Sequence, residues 1–127
     1  MNTETTETGT LLPISEIQGA TVINLQGESI GEIDEVLIEA ETGQTRFAVV
    51  SVGGFLAMGS TRVAVPWAAF SIGTVEGKTR YILDATKERL EKAPRVEGKN
   101  YERLYPADMS QPIYGYWDVD WLVVGER

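Results

Sequence analysis

The sequence has neither cysteine nor histidine among its 127 residues. Without cysteine, the chain has no disulfide, no thiolate metal ligand and no cysteine nucleophile. Without histidine, it also lacks the commonest general base and the commonest zinc ligand. A chain of this length can still bury a hydrophobic core without cross-links. We therefore predict a non-enzymatic protein with no catalytic residue and no cofactor.

Positive charge is also scarce: 11 Lys and Arg residues stand against 19 Asp and Glu residues, so the net charge is -8 and the pI is near 4.5. Because an acidic chain repels phosphate backbones, we expect no nucleic-acid partner. Residues 1–45 hold nine carboxylates and no Lys or Arg, whereas eight basic and five acidic side chains lie between Lys78 and Arg103. These regions are either separate solvated surfaces or faces that pack together, within one chain or between two copies.

Long apolar runs are missing as well. No stretch of the sequence approaches the roughly 20 apolar residues that are needed to cross a bilayer. The N-terminus is polar and acidic, unlike the basic and apolar start of a signal peptide. We expect a cytoplasmic protein with no membrane span. Residues 1–10 show no apolar periodicity and are predicted to be a disordered tail.

Short β-prone runs separated by turn residues fill residues 11–84. In the second run the apolar positions change face near Asp34–Glu35, which predicts a β-bulge. Glu41–Gln44 and Glu76–Lys78 are predicted turns between strands. The six predicted strands are Ala20–Leu25, Ser29–Ala40, Thr45–Val52, Thr61–Pro66, Ile72–Val75 and Thr79–Asp84.

Helix is predicted only in residues 85–127. Thr86 is a suitable N-cap for a short helix that Pro94 ends, and this helix must dock through Leu90 and Ala93. A further short helix is predicted around Ser110–Trp117. The fold class is therefore mainly β: a small β-barrel of five to six strands with a short helical and irregular C-terminal appendage.

Five stretches within Ile14–Phe70 match a known pattern in order and residue type. They are Gly19-Ala20-Thr21-Val22, Gln26-Gly27-Glu28-Ser29-Ile30-Gly31-Glu32-Ile33, Glu41-Thr42-Gly43-Gln44, Phe47-Ala48-Val49-Val50-Ser51-Val52-Gly53-Gly54-Phe55-Leu56 and Val63-Ala64-Val65-Pro66-Trp67. In this order they resemble the PRC-barrel family, named after the cytoplasmic domain of the photosynthetic reaction centre H subunit, and its stand-alone bacterial members in particular. The resemblance implies a compact barrel used for interaction. It carries over no catalytic residue, because the family shares no catalytic motif.

Two segments are candidates for an interaction surface. Phe55, Leu56 and Met58 lie in the glycine-rich stretch between two strands, where they either pack into the core or form an apolar patch on the surface. The second segment is rich in aromatic residues near the C-terminus and either folds back over the barrel or docks on a second subunit. Its candidate residues are Tyr114, Tyr116, Trp117 and Trp121.

Three functions remain open at this point. The first is a protein–protein interaction or scaffold module, a homo-oligomer that self-associates through the aromatic segment and binds an unidentified protein partner. The second is an RNA- or ribosome-associated assembly factor, which the resemblance alone suggests. The third is a small-ligand or metal-binding barrel, for which the candidate carboxylates are Glu32, Asp34, Glu35, Asp118 and Asp120. Arg46 and Arg80 are expected to form surface ion pairs.

Overall fold

A computed structural model describes residues 10–53 and 60–121. Its six strands are β1 (Thr21–Ile23), β2 (Ser29–Ile38), β3 (Thr45–Gly53), β4 (Ser60–Pro66), β5 (Phe70–Val75) and β6 (Lys78–Leu83). They form one sheet in the order β4-β3-β2-β1-β6-β5. Neighbouring strands are antiparallel except β1 and β6, which are parallel. The prediction of a mainly β fold with up to six strands is confirmed. Within the described residues, however, β4 and β5 do not pair, so hydrogen bonds do not close the sheet into a full barrel.

Strand β2 contains the predicted bulge. Ile33 pairs with Val50 and Glu35 pairs with Val49, so Asp34 is the additional residue on the bulged strand. The same strand comes very close to β3 at Gly31. A Cβ atom on Gly31 would lie 2.9 Å from the carbonyl oxygen of Ser51, so only glycine allows the strands to approach this closely.

The β5–β6 hairpin turns through the two residues Glu76 and Gly77, which have φ angles of 53° and 79°. Two positive φ angles in a two-residue loop are typical of a type I′ turn, whose twist matches that of antiparallel strands. Glycine adopts such angles without strain. This short loop is the hairpin signal of the sequence, and it sets the register of β5 on β6.

Strand β3 runs through the middle of the core. Phe47, Ala48, Val49 and Val50 follow one another along it and are all buried, as predicted for a strand covered on both faces. The pairing of β1 with β6 places the last strand in the sequence beside the first, in the middle of the sheet, with Val22 opposite Tyr81.

Three short α-helices lie wholly within the described residues: α1 (Ile14–Ile17), α2 (Lys87–Glu91) and α3 (Ala107–Tyr116). The cap of α2 is confirmed, because the Thr86 hydroxyl accepts a hydrogen bond of 3.0 Å from the backbone N–H of Arg89. Leu90 and Ala93 are buried, as docking of this helix requires. Helix α3 begins three residues before the predicted Ser110. Helix α1 was not predicted, since four residues are too few for a periodic pattern.

Two 3-10 turns complete the described chain. Trp67–Ala69 joins β4 to β5, and Tyr101–Leu104 precedes α3. In the described part of the chain, no helix is long and apolar enough to cross a membrane.

Candidate interaction site

One edge of the sheet, strand β4, is covered by the later segment Pro94–Val96. The backbone N–H of Ala64 donates to the carbonyl oxygen of Pro94 over 3.1 Å, and the N–H of Val96 donates to the carbonyl oxygen of Arg62 over 2.8 Å. Backbone groups that an edge strand would otherwise expose to solvent thus bond within the same chain. We call this the sealed edge.

The side chain of Arg62 holds the sealed edge together. Its Nε donates to Asp34 over 2.9 Å, and its terminal nitrogens donate to the Gly98 carbonyl oxygen over 2.7 Å and the Tyr101 hydroxyl over 2.5 Å. Burial by itself lowers the pKa of Arg62, but the hydrogen bonds to Tyr101 and Asp34 outweigh burial and raise that pKa. The charged guanidinium therefore joins β2, β4 and the C-terminal appendage at one point.

The opposite edge, strand β5, pairs only with β6 among the described residues. Its sequence, Phe-Ser-Ile-Gly-Thr-Val, carries no charge. Ile72 and Val75 are 37% and 46% exposed, and Ser71 and Thr74 are exposed as well. A row of unpaired backbone N–H and C=O groups is a template on which a further strand can pair. We call β5 the open edge, and it is the candidate interaction site of the sheet.

The aromatic segment near the C-terminus folds back over the chain's own strands. Tyr114 is only 1% exposed, and its ring meets that of Phe47 edge to face with 5.5 Å between centroids. Its hydroxyl donates to the carbonyl oxygen of Arg46 over 3.4 Å. Of the two arrangements that the sequence leaves open, the single chain adopts the one in which the segment covers its own barrel.

The other aromatic candidates lie in the same appendage. Trp117 is 6% exposed, whereas Tyr116 and Trp121 are half-buried. The indole N–H of Trp121 donates to the hydroxyl of Ser110 over 2.8 Å. Self-association through this segment stays a prediction, and within one folded chain the surface left for it belongs to Tyr116 and Trp121.

Arg89 fastens α2 to the end of α3. Its guanidinium donates to the carbonyl oxygen of Tyr116 over 2.6 Å and lies 4.9 Å from the ring centroid of Trp117. In return, the Tyr116 hydroxyl donates to the carbonyl oxygen of Arg89 over 2.6 Å. Arg89 also pairs with Asp118 over 3.5 Å. Among the described residues, the contacts of this arginine in the basic region therefore lie within the C-terminal appendage and do not involve the acidic residues 1–45.

Three of the five carboxylates named as a possible cation site are engaged elsewhere. Asp34 pairs with Arg62, Asp118 pairs with Arg89, and Glu35 accepts a hydrogen bond of 3.4 Å from Gln18. In the part of the chain that the structure describes, no three Asp or Glu side chains are placed to hold one metal ion. No specific observation favours the metal-binding alternative.

A groove of about 480 Å³ opens where the end of β2 meets the 3-10 turn Tyr101–Leu104. Residues 36–41, Arg46 and Phe47 form one wall, and Tyr101, Glu102, Leu104 and Tyr105 form the other. Its size falls within the range of ligand-binding clefts, about 300 to 1,000 Å³. We call it the Arg46 groove.

Arg46 lies at the base of this groove. It pairs with Glu39 over 3.7 Å, but with an exposure of 7% the residue is buried rather than on the surface, which corrects the expectation. Its Nε donates to the Tyr114 hydroxyl over 3.4 Å, and its guanidinium lies 5.4 Å from the ring centroid of Tyr105. The sequence did not predict this site, although one signal was available: Arg46 lies at the start of a strand predicted to be buried on both faces.

Glu39 is held in place from the outer side of the groove. The Tyr105 hydroxyl donates to it over 2.9 Å, and the Thr42 hydroxyl donates to it over 3.2 Å. The hydrogen bond to Glu39 and the negative charge of that carboxylate raise the pKa of Tyr105. Neither Phe55, Leu56 nor Met58 can be placed relative to these sites, because all three lie outside the described residues.

A six-stranded sheet with a short helical appendage defines a small, mainly β domain, and its candidate sites among the described residues are an open strand edge and a groove. The chain belongs to the PRC-barrel domain family, whose pattern matches residues 9–90. It is also similar to an uncharacterized protein of Deinococcus radiodurans, with 33% identity over 72 residues. That match covers 57% of this chain but only 24% of the relative, so the chain spans about a quarter of the relative's length.

Proposed function

We propose that this PRC-barrel protein is a non-enzymatic interaction module that holds protein chains together, beginning with a second copy of itself. The observation that carries the proposal is the contrast between the sealed edge at β4 and the open edge at β5. The first copy would offer β5, and the second would add its own β5 in the antiparallel direction.

The chemistry of β5 supports a second copy as the occupant. The chain carries a net charge of -8, so two copies repel each other over most of their surfaces. Strand β5 has no charged residue, and its exposed Ile72 and Val75 gain from leaving water. Two acidic copies can therefore meet at β5 with little repulsion, and the contact would be stabilised by backbone hydrogen bonds.

Antiparallel pairing about Gly73 would make the contact self-complementary. Ser71 of one copy would then lie opposite Val75 of the other, and the same pair would occur a second time by symmetry. A strand of six residues is short, so we expect a weak dimer whose population rises with protein concentration. This contact needs no side chain from the buried Tyr114 or Trp117.

Light scattering of the full chain at increasing concentration tests the proposal. We expect the mass to rise above the 14.0 kDa of one chain towards twice that value. The double variant Ser71→Glu/Val75→Glu places like charges opposite each other in the pair and should remain at one chain. Its counterpart Ser71→Lys/Val75→Lys should also remain monomeric, whereas an equal mixture of the two variants should recover the dimer.

The matched control is Asn100→Glu/Gln111→Glu, which adds the same charge at exposed positions outside β5. It should dimerise nearly as well as the unchanged chain. A wild-type mass of one chain at every concentration rules out self-association. A Glu/Glu variant that still dimerises instead moves the contact away from β5, with the aromatic segment as the next place to examine.

A further inference from the structure

We infer that the Arg46 groove binds an extended, apolar segment of another protein that carries lysine or arginine side chains. The groove shares no residue with β5, so this site is separate from the contact proposed for self-association. Three properties of its walls define the partner: an apolar surface, an arginine whose terminal nitrogens make no short hydrogen bond to the described residues, and a surplus of carboxylates.

The apolar surface comes from both walls. Val36, Ile38 and Leu104 line the groove, together with the rings of Tyr101 and Tyr105. Ile38 is 43% exposed and Tyr105 is 56% exposed, which is high for large side chains that line the same groove. A partner side chain of the size of valine or leucine would remove these groups from water.

The second property belongs to the guanidinium of Arg46, a residue that is 7% exposed. Its Nε bonds to Tyr114, but among the described residues its two terminal nitrogens have only the long 3.7 Å contact to Glu39. A ligand that fills the groove also removes water from these N–H groups, and an unsatisfied buried donor is costly. The ligand must therefore supply an acceptor oxygen, and a main-chain carbonyl of an extended peptide does so without adding charge.

The charge of the walls determines which side chains the bound peptide carries. Glu39, Glu41 and Glu102 line the groove, against Arg46 as the one cationic side chain among the described lining residues. Glu39 neutralises Arg46, which leaves the exposed Glu41 and Glu102 to attract a positive side chain. The same two glutamates would repel a ligand that carries a carboxylate.

Fluorescence anisotropy with labelled, end-blocked peptides on the full chain tests this inference. The probe is the peptide KVLVK, and its matched counterpart is EVLVE. We expect KVLVK to bind at least about tenfold more tightly than EVLVE, since the charges of the groove favour one and oppose the other. The preference should shrink as salt is added, because the two glutamates are exposed.

The variant Glu41→Gln/Glu102→Gln removes both rim charges at exposed positions, so it should fold normally while its affinity for KVLVK falls about tenfold. The control Glu91→Gln/Glu97→Gln removes two exposed carboxylates outside the groove and should bind KVLVK within about twofold of the unchanged chain. The inference is overturned if KVLVK does not bind, or if an anionic ligand binds more tightly than KVLVK, whether the peptide EVLVE or the fatty-acid anion octanoate. It is also overturned if both double variants lose the same affinity for KVLVK.

Discussion

The two edge strands of the sheet differ in what the rest of the chain does with them. At β4, the backbone of Pro94–Val96 adds further hydrogen bonds, and the Arg62 side chain of β4 bonds to Asp34 of β2. At β5, no described segment adds anything, and apolar side chains remain exposed. Sealing an edge thus requires chain from outside the barrel, whereas an edge that is left open is available to another molecule.

The two edges should contribute to stability in different ways. Contacts at the sealed edge lie within one chain, so removing them should lower the free energy of unfolding. Contacts proposed at the open edge lie between chains, so changing them should alter the mass in solution and leave the single chain nearly as stable. Leu90→Ala and Arg62→Met at the sealed edge, and Ser71→Glu/Val75→Glu at the open edge, test that separation.

The largest effect is expected from Leu90→Ala. Leu90 is the fully buried residue of α2, the helix that precedes the covering segment, and loss of such a side chain costs about 2 to 5 kcal/mol of unfolding free energy. Urea denaturation measures the loss. Hydrogen exchange should also become faster at the Ala64 amide, whose bond to Pro94 depends on the docked segment. The exposed Leu11→Ala is the control and should change stability by less than about 0.5 kcal/mol.

A smaller loss is expected from Arg62→Met. The substitution keeps much of the side-chain volume but removes the hydrogen bonds to Asp34, Gly98 and Tyr101, so we expect a cost of about 1.5 to 3 kcal/mol by urea denaturation. Arg103→Ala, at an exposed arginine of the same appendage, should cost less than about 0.5 kcal/mol. Equal effects of the two substitutions would show that Arg62 is not the anchor of the sealed edge.

At the open edge, the variant Ser71→Glu/Val75→Glu should unfold within about 0.5 kcal/mol of the unchanged chain, because both side chains are exposed. Denaturation at a concentration where the unchanged protein is monomeric measures this. A loss as large as that of Arg62→Met would mean that β5 is stabilised within the single chain, and the contrast between the edges would disappear.

The smallest effect concerns the pH dependence of the Arg46 groove. The hydrogen bond to Glu39 raises the pKa of Tyr105, so the folded chain favours the neutral phenol. The contribution of this hydrogen bond to the free energy of unfolding is fully present below about pH 10, the ordinary tyrosine pKa. It is lost as the pH rises through the raised pKa of Tyr105. An ultraviolet absorbance titration should show late-titrating tyrosine, and Glu39→Gln should shift one tyrosine back towards its ordinary pKa.

Tyr81 provides the internal comparison for that titration. Burial first, and the nearby charge of Glu16 second, raise the pKa of Tyr81 as well. Glu39→Gln should leave this second late tyrosine unchanged. A titration in which Glu39→Gln alters nothing would contradict the hydrogen bond between Tyr105 and Glu39.

The strands and the cap of α2 could be predicted from the sequence because their signals are local. The bulge at Asp34 follows from a change of apolar face within one strand, and the β5–β6 hairpin follows from Glu76 and Gly77. The cap at Thr86 needs only the helix that follows it. Each of these features depends on residues a few positions apart, where propensity and periodicity carry information.

The candidate sites were harder to predict, because exposure depends on what packs above a residue. Arg46 resembled a surface arginine at the start of a strand, yet Tyr105 and Tyr114 cover it. The aromatic segment resembled an interface, yet Tyr114 and Trp117 are buried in the chain's own core. Composition indicates that such side chains need a partner but does not say whether the partner is in the same chain.

By itself the sequence determined an acidic, mainly β domain without cysteine or histidine, and it placed most of the strands. Only the tertiary structure decided that β1 pairs with β6, that Pro94–Val96 seals β4 while no described segment covers β5, and that Arg46 contacts Tyr114, 68 positions further along the chain. The physical reason is that these contacts join distant segments, so their free energy depends on the packing of the whole chain and not on the preference of any one segment.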